Sequence, residues 1–150
     1  MVEGIWRALR IVAFDEARLI DAAVRQAHVG GSVALTVEVE AERIRPQAGL
    51  TAKVSLRLAS DEVCRATAAL GPSGGCVELE VPQPQLWWPN GLGPQPLYDL
   101  RVAVRNEAGE CGPEILRRRI GLRTIELVQE EDEWGQSFCF RVNGCRFFAK

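Results

Sequence analysis

Apolar and polar residues alternate along several stretches of this chain, and a period of two predicts strands. The cleanest covers residues 32–42, with Val33, Leu35, Val37 and Val39 on one face and Ala34, Thr36, Glu38 and Glu40 on the other. Residues 50–58 place Leu50, Ala52, Val54, Leu56 and Leu58 inward. Residues 76–81 do the same with Val77, Leu79 and Val81, and residues 97–104 with Tyr98, Leu100, Val102 and Val104. Residues 62–70 make a more ambiguous strand. Residues 18–29, with Leu19, Ile20, Ala22, Ala23 and Val24, fit a helix on periodicity alone. Residues 114–127 complete the set, with Ile120, Leu122, Ile125 and Leu127 toward the core. The chain closes in a hairpin, 137–142 and 145–149, whose Asn143-Gly144 favours a type I′ turn. Gly- and Pro-rich turns punctuate these segments, as in Gly71-Pro72-Ser73-Gly74-Gly75. About seven short strands so spaced predict an all-β, antiparallel, two-sheet sandwich ending in a β-hairpin.

One stretch resists the alternation. Leu86-Trp87-Trp88-Pro89-Asn90-Gly91-Leu92-Gly93-Pro94-Gln95-Pro96-Leu97-Tyr98 holds the only Tyr and a pair of adjacent Trp. Pro fixes φ and removes donors, while Gly and Asn accept positive φ, so the centre is a stiff, irregular loop. Its two indoles either plug one end of the sandwich or offer stacking surface to a partner. Trp87, Trp88 and Asn90 are therefore the candidate contact residues.

The 150 residues, 47% hydrophobic and 25% charged, suit one domain with short attachments. A net charge of −2 gives no reason to expect nucleic acid or an anionic membrane. No apolar run approaches the roughly 20 residues that span a bilayer. The five cysteines include no CxxC pair, so a zinc ribbon is not expected, and no metal or cofactor is assigned. In the hairpin, Val142 pairs with Cys145 and Phe140 with Phe147. Cys145 then shares a face with Phe140 and Phe138 while Cys139 points away, so those two should not bond. All five cysteines (Cys64, Cys76, Cys111, Cys139 and Cys145) read as free thiols of a reducing compartment such as the cytoplasm.

Catalytic constellations are missing. His28 is the only His and reads as a lone surface residue. Gly71 to Gly75 lacks the Lys and helix of a phosphate loop. Glycoside hydrolysis needs two facing carboxylates, about 5–5.5 Å apart for retention. The acids here sit on polar strand faces (Glu38, Glu40, Glu78, Glu80) or in the acidic turn 130–133, where solvation explains them. Arg117-Arg118-Arg119 splits between the two faces of a strand and reads as an edge or interdomain salt-bridging element.

The tryptophan stretch resembles the Trp-Trp-Pro-Asn-Gly…Gln-Pro-Leu-Tyr segment of β-mannosidases of glycoside hydrolase family 2. Gly4-Ile5-Trp6-Arg7 is similar to the end of that family's N-terminal jelly roll, and Ile120-Gly121-Leu122-Arg123-Thr124-Ile125 to the segment closing its sandwich, with Leu122 in place of Phe. Phe147-Phe148-Ala149-Lys150 looks like the start of the first barrel segment. The resemblance implies an immunoglobulin-like sandwich over 15–128, a preceding jelly-roll end or linker over 1–14, and a hairpin over 129–150 leading to a catalytic (β/α)8 barrel. It makes residues 18–29 the first strand and implies a longer protein cut at both ends, with both catalytic Glu residues beyond Lys150. Two functions are compatible with it. The chain is a non-catalytic module that positions the barrel of an enzyme acting on terminal β-mannosides, with its own jelly roll and barrel as partners. Alternatively it is a free-standing carbohydrate-binding module stacking sugars on Trp87 and Trp88.

Overall fold

The structure, a computed structural model, describes residues 9, 11–14, 16–44, 49–106, 109–110, 116–133 and 135–147. Gly4-Ile5-Trp6-Arg7, Phe148-Ala149-Lys150, the turn residues 45–48 and Cys111 lie outside them. All helix-or-strand structure among the described residues is β. In chain order the first strands are β1 (Ala17–Val29), β2 (Ser32–Arg43), β3 (Leu50–Leu58), β4 (Asp61–Leu70), β5 (Gly74–Pro82) and β6 (Tyr98–Asn106). The remaining strands are shorter: β7 (Gly109–Glu110), β8 (Leu116–Ile120), β9 (Ile125–Val128), β10 (Glu131–Asp132), β11 (Gly135–Gln136), β12 (Cys139–Val142) and β13 (Cys145–Phe147).

Two antiparallel sheets carry the core. One has the order β1-β2-β5; the other runs β4-β3-β6, with β7 and β8 both paired to the far side of β6. The edges meet in pairs, β4 beside β5 and β1 beside β8. The expected alternation holds: Val33, Leu35, Val37 and Val39 of β2 pack with Val77, Leu79 and Val81 of β5 against Ala52, Val54, Leu56, Leu100 and Val102 opposite. Each buried Val or Leu among them contributes about 1.5–3 kcal/mol by leaving water.

The two ambiguous segments are strands with a bulge. The β1–β2 register slips between Leu19 and Asp21, leaving Ile20 as the extra residue. Odd positions (Ala17, Leu19) face inward before it, and even ones (Ala22, Val24) after it. That switch of parity erases the period of two and imitates a helix. In β4 a similar slip opposite Leu56 and Arg57 moves Cys64, Ala66, Ala68 and Leu70 to the inner face.

Residues 114–127 are not one strand. β8 ends at Ile120, and residues 121–124 cross to a separate three-stranded sheet of order β13-β12-β9. Of the four residues expected to be buried there, Leu122 is fully enclosed and Ile120 packs on the core, whereas Ile125 and Leu127 are 54% and 51% exposed. They belong to the hairpin's sheet, outside the sandwich. The hairpin has the expected register, with Phe140 opposite Phe147 and Val142 opposite Cys145. Asn143 and Gly144 both have positive φ, 48° and 82°, as a type I′ turn requires. Cys139 and Cys145 are free thiols on opposite faces.

Arg118 ties the sandwich edges together. Its guanidinium donates to the Ala22 carbonyl (2.7 Å) and to Asp21 Oδ1 (2.5 Å), joining β8 to β1 within one domain.

Candidate functional site

The tryptophan loop crosses the end of the sandwich where residues 121–124 leave it, and the two indoles face different surroundings. The Trp87 N–H donates to the Leu122 carbonyl at 2.9 Å, and the Trp87 carbonyl accepts from Asn143 Nδ2 at 2.9 Å. The Arg123 guanidinium lies over the indole, 4.4 Å from its centroid. Such a stack contributes about 0.5–2 kcal/mol, more as water is excluded. Gly121 lies against the base of the same ring, close to the Arg123 guanidinium as well. A Cβ there would sit 2.9 Å from Trp87 Cγ, so only glycine allows the approach. Trp87, half-buried, is thus held between its own loop, the crossing segment and the hairpin turn.

Trp88 packs within the loop. Its N–H donates to the Pro94 carbonyl (3.0 Å), its carbonyl accepts from Gln95 Nε2 (3.3 Å), and its ring lies against Gly93. Asn90 is exposed in the turn that the Leu92 N–H closes onto the Pro89 carbonyl. Buried Tyr98 anchors the loop base by accepting from the Gln85 N–H at 2.9 Å. The indoles therefore form no shared platform; Trp87 serves the crossing segment, and Trp88 half-covers its own loop.

Residues that sequence reasoning passed over hold the crossing segment. Gln26 donates through Nε2 to the Gly121 carbonyl and accepts through Oε1 from the Arg123 N–H, both at 3.1 Å. Asn143 brackets Thr124, its side-chain oxygen accepting the Thr124 N–H at 3.0 Å and its backbone N–H donating to the Thr124 carbonyl at 3.2 Å. The Ile20 bulge is what turns Gln26 and His28 inward. His28 is accordingly half-buried rather than a lone surface residue, its Nε2 3.2 Å from Gln26 Oε1. Burial holds its pKa below the usual 6.5, against a smaller opposing hydrogen bond with the Arg123 backbone. The available signals were the loss of alternation at Ile20 and an Asn whose side chain could do more than permit a turn.

A shallow groove of about 470 Å³ opens beside this joint, with Leu97, Arg119, Arg123 and Ile125 in its walls. It lacks a facing carboxylate pair. Ion-paired acids include Asp21 with Arg118, Glu38 with Arg25, Glu42 with Arg18, Glu62 with Arg65, Glu126 with Arg141 and Glu130 with Arg146, each pair at least partly exposed. Burial, then the charge of Glu62, pushes the Cys64 thiol up, away from a nucleophilic thiolate. No cluster of three metal-ligating side chains occurs among the described residues.

Comparison with known proteins agrees with this architecture. The family model described as glycosyl hydrolases family 2 matches residues 17–123, from the start of β1 to the crossing segment. A β-mannosidase B of Aspergillus flavus is 35% identical over 150 residues, covering 97% of this chain and 17% of that protein. A β-D-mannosidase structure from Dictyoglomus thermophilum superposes with a TM-score of 0.78 at 28% identity, over 91% of this chain and 17% of that one. A β-glucuronidase from Parabacteroides merdae shares the fold, with a TM-score of 0.65 at 17% identity over 88% of this chain and 16% of its own. The chain spans about a sixth of the length of the relatives it matches. With the family model covering the whole sandwich, the chain belongs to glycosyl hydrolases family 2.

Proposed function

We propose that this chain is the non-catalytic, immunoglobulin-like module of a β-mannosidase-like enzyme that removes terminal β-mannosides, and that it positions the catalytic barrel. The observation that carries the reading is the position of Trp87, stacked on Arg123 with both backbone polar groups spent on the chain itself. A residue so used is a joint between the sandwich and the hairpin sheet beyond it. The sandwich over 15–128, a linker or jelly-roll end over 1–14 and a lead into the barrel over 129–150 fit this role. Half-buried Trp88, packed within its own loop, and exposed Asn90 are the residues left to meet another domain or the region of the sugar. The relatives' names support the substrate class, and the ion-paired surface acids support a catalytic pair located elsewhere.

The full-length enzyme and the 150-residue chain, assayed together on an aryl β-mannoside, test this. Turnover is expected from the enzyme alone. Hydrolysis by the chain that disappears on substituting one of its own acids would contradict the reading. A carbohydrate-binding module using Trp87 and Trp88 is the weaker reading, because Arg123 already occupies one indole face and Gly93 lies against the other indole.

A further inference from the structure

The sheet β13-β12-β9 has two chemically opposite faces. Directly opposed residues of antiparallel strands share a face, so Ile125, Leu127, Phe140, Val142, Cys145 and Phe147 lie together on one side. The other side carries Glu126, Arg141 and Arg146, with Arg141 paired to Glu126 at 3.2 Å, and at one end Cys139 and buried Val128. On the apolar side, Phe140 meets both Phe138 and Phe147 with ring centroids 6.0 Å apart. Val142 is 1% exposed, but its neighbour across the strands, Ile125, and Leu127 and Phe138 remain 54%, 51% and 60% exposed. A three-stranded sheet with one aromatic face buries that face when stable in water. In this chain, among the described residues, only Val142 of that face is fully buried.

We propose that this face is the docking surface for the domain next in sequence in the full-length enzyme. The inference rests on the reading of the chain as one module of a longer glycosidase. It differs from a contact through the tryptophan loop, since Trp87 is already held by Arg123 and Asn143. Two observations select this occupant. The matching relatives are about six times longer than the chain. And β13 is an edge strand whose final residue, Phe147, lies on the apolar face at the C-terminal end of the described residues. The partner surface would be apolar, shaped to take Leu127 and the three Phe rings.

Leu127→Asp, placed in both the full-length enzyme and the 150-residue chain, distinguishes the outcomes. In the chain the substituted side chain stays in water, so the unfolding midpoint should hold. In the enzyme it forces a carboxylate into an apolar contact, and thermal inactivation should accelerate about tenfold or more. Phe138→Ser is the second variant, should Leu127→Asp disturb the hairpin itself. Equal effects in chain and enzyme would overturn the proposal. So would a concentration-dependent dimer of the chain that either variant abolishes, since the occupant would then be a second copy. A full-length protein without glycosidase activity that still shows the differential effect would overturn the enzymatic reading and leave the docking surface standing.

Discussion

The Trp87 carbonyl and the Asn143 side-chain amide lie 2.9 Å apart across 56 residues of sequence. Through this bond the loop before β6 grips the turn between β12 and β13, and the crossing segment 121–124 is caught between them. Asn143 does three jobs at once. It holds positive φ, donates to Trp87, and both accepts from and donates to Thr124.

Asn143→Ala should therefore cost about 2–4 kcal/mol, since it strands partly buried backbone groups and replaces an Asn, which tolerates the left-handed region, with an Ala that does not. Asn143→Gly keeps the backbone relaxed and should cost about 1 kcal/mol less. Urea unfolding of the chain measures both. Equal losses would mean that the turn geometry is irrelevant, and no loss in either would remove the joint.

Gly121→Ala drives a Cβ to 2.9 Å from Trp87 Cγ, so the ring must move off Arg123. The expected cost is about 1–3 kcal/mol of overpacking, with a change in tryptophan emission. Gly93→Ala crowds Trp88 as closely, at 2.8 Å, but in an exposed loop that can yield. It should cost clearly less. A reversed order would show that Trp88, not Trp87, carries the joint.

His28 makes the joint pH-sensitive. Burial depresses its folded pKa below 6.5, so the unfolded chain binds the proton more readily. This contribution is complete above pH 6.5 and is lost as the pH falls from there through the lowered folded value. Unfolding midpoints measured between about pH 8 and pH 5 should decline on the acid side, and His28→Gln should flatten that component of the decline. A midpoint that rises as the pH falls through this window in the wild-type chain, and not in the variant, would reverse the assignment.

The sandwich was legible where one face is buried and the other wet, as in β2, β3, β5 and β6, because burial there imposes the period of two. It was illegible in β1, where the Ile20 bulge swaps the buried parity mid-strand. Ile125 and Leu127 look like core residues for an equally physical reason: they alternate on an apolar face, but of a second sheet that the sandwich does not cover. Sequence distinguishes a buried face from one awaiting a partner only through pairing, which is tertiary. The tryptophan loop was visible by composition, yet its division of labour depended on Gln26, Gly121, Arg123 and Asn143. These come from three separate parts of the chain.

The central claim is that the tryptophan loop serves the protein's own architecture rather than a sugar. Calorimetric titration of the 150-residue chain with free mannobiose tests it most directly. No measurable heat of binding is predicted, for the intact chain and for its Trp88→Ala variant alike. Millimolar or tighter binding that Trp87→Ala or Trp88→Ala abolishes, in variants that still unfold cooperatively, would contradict it.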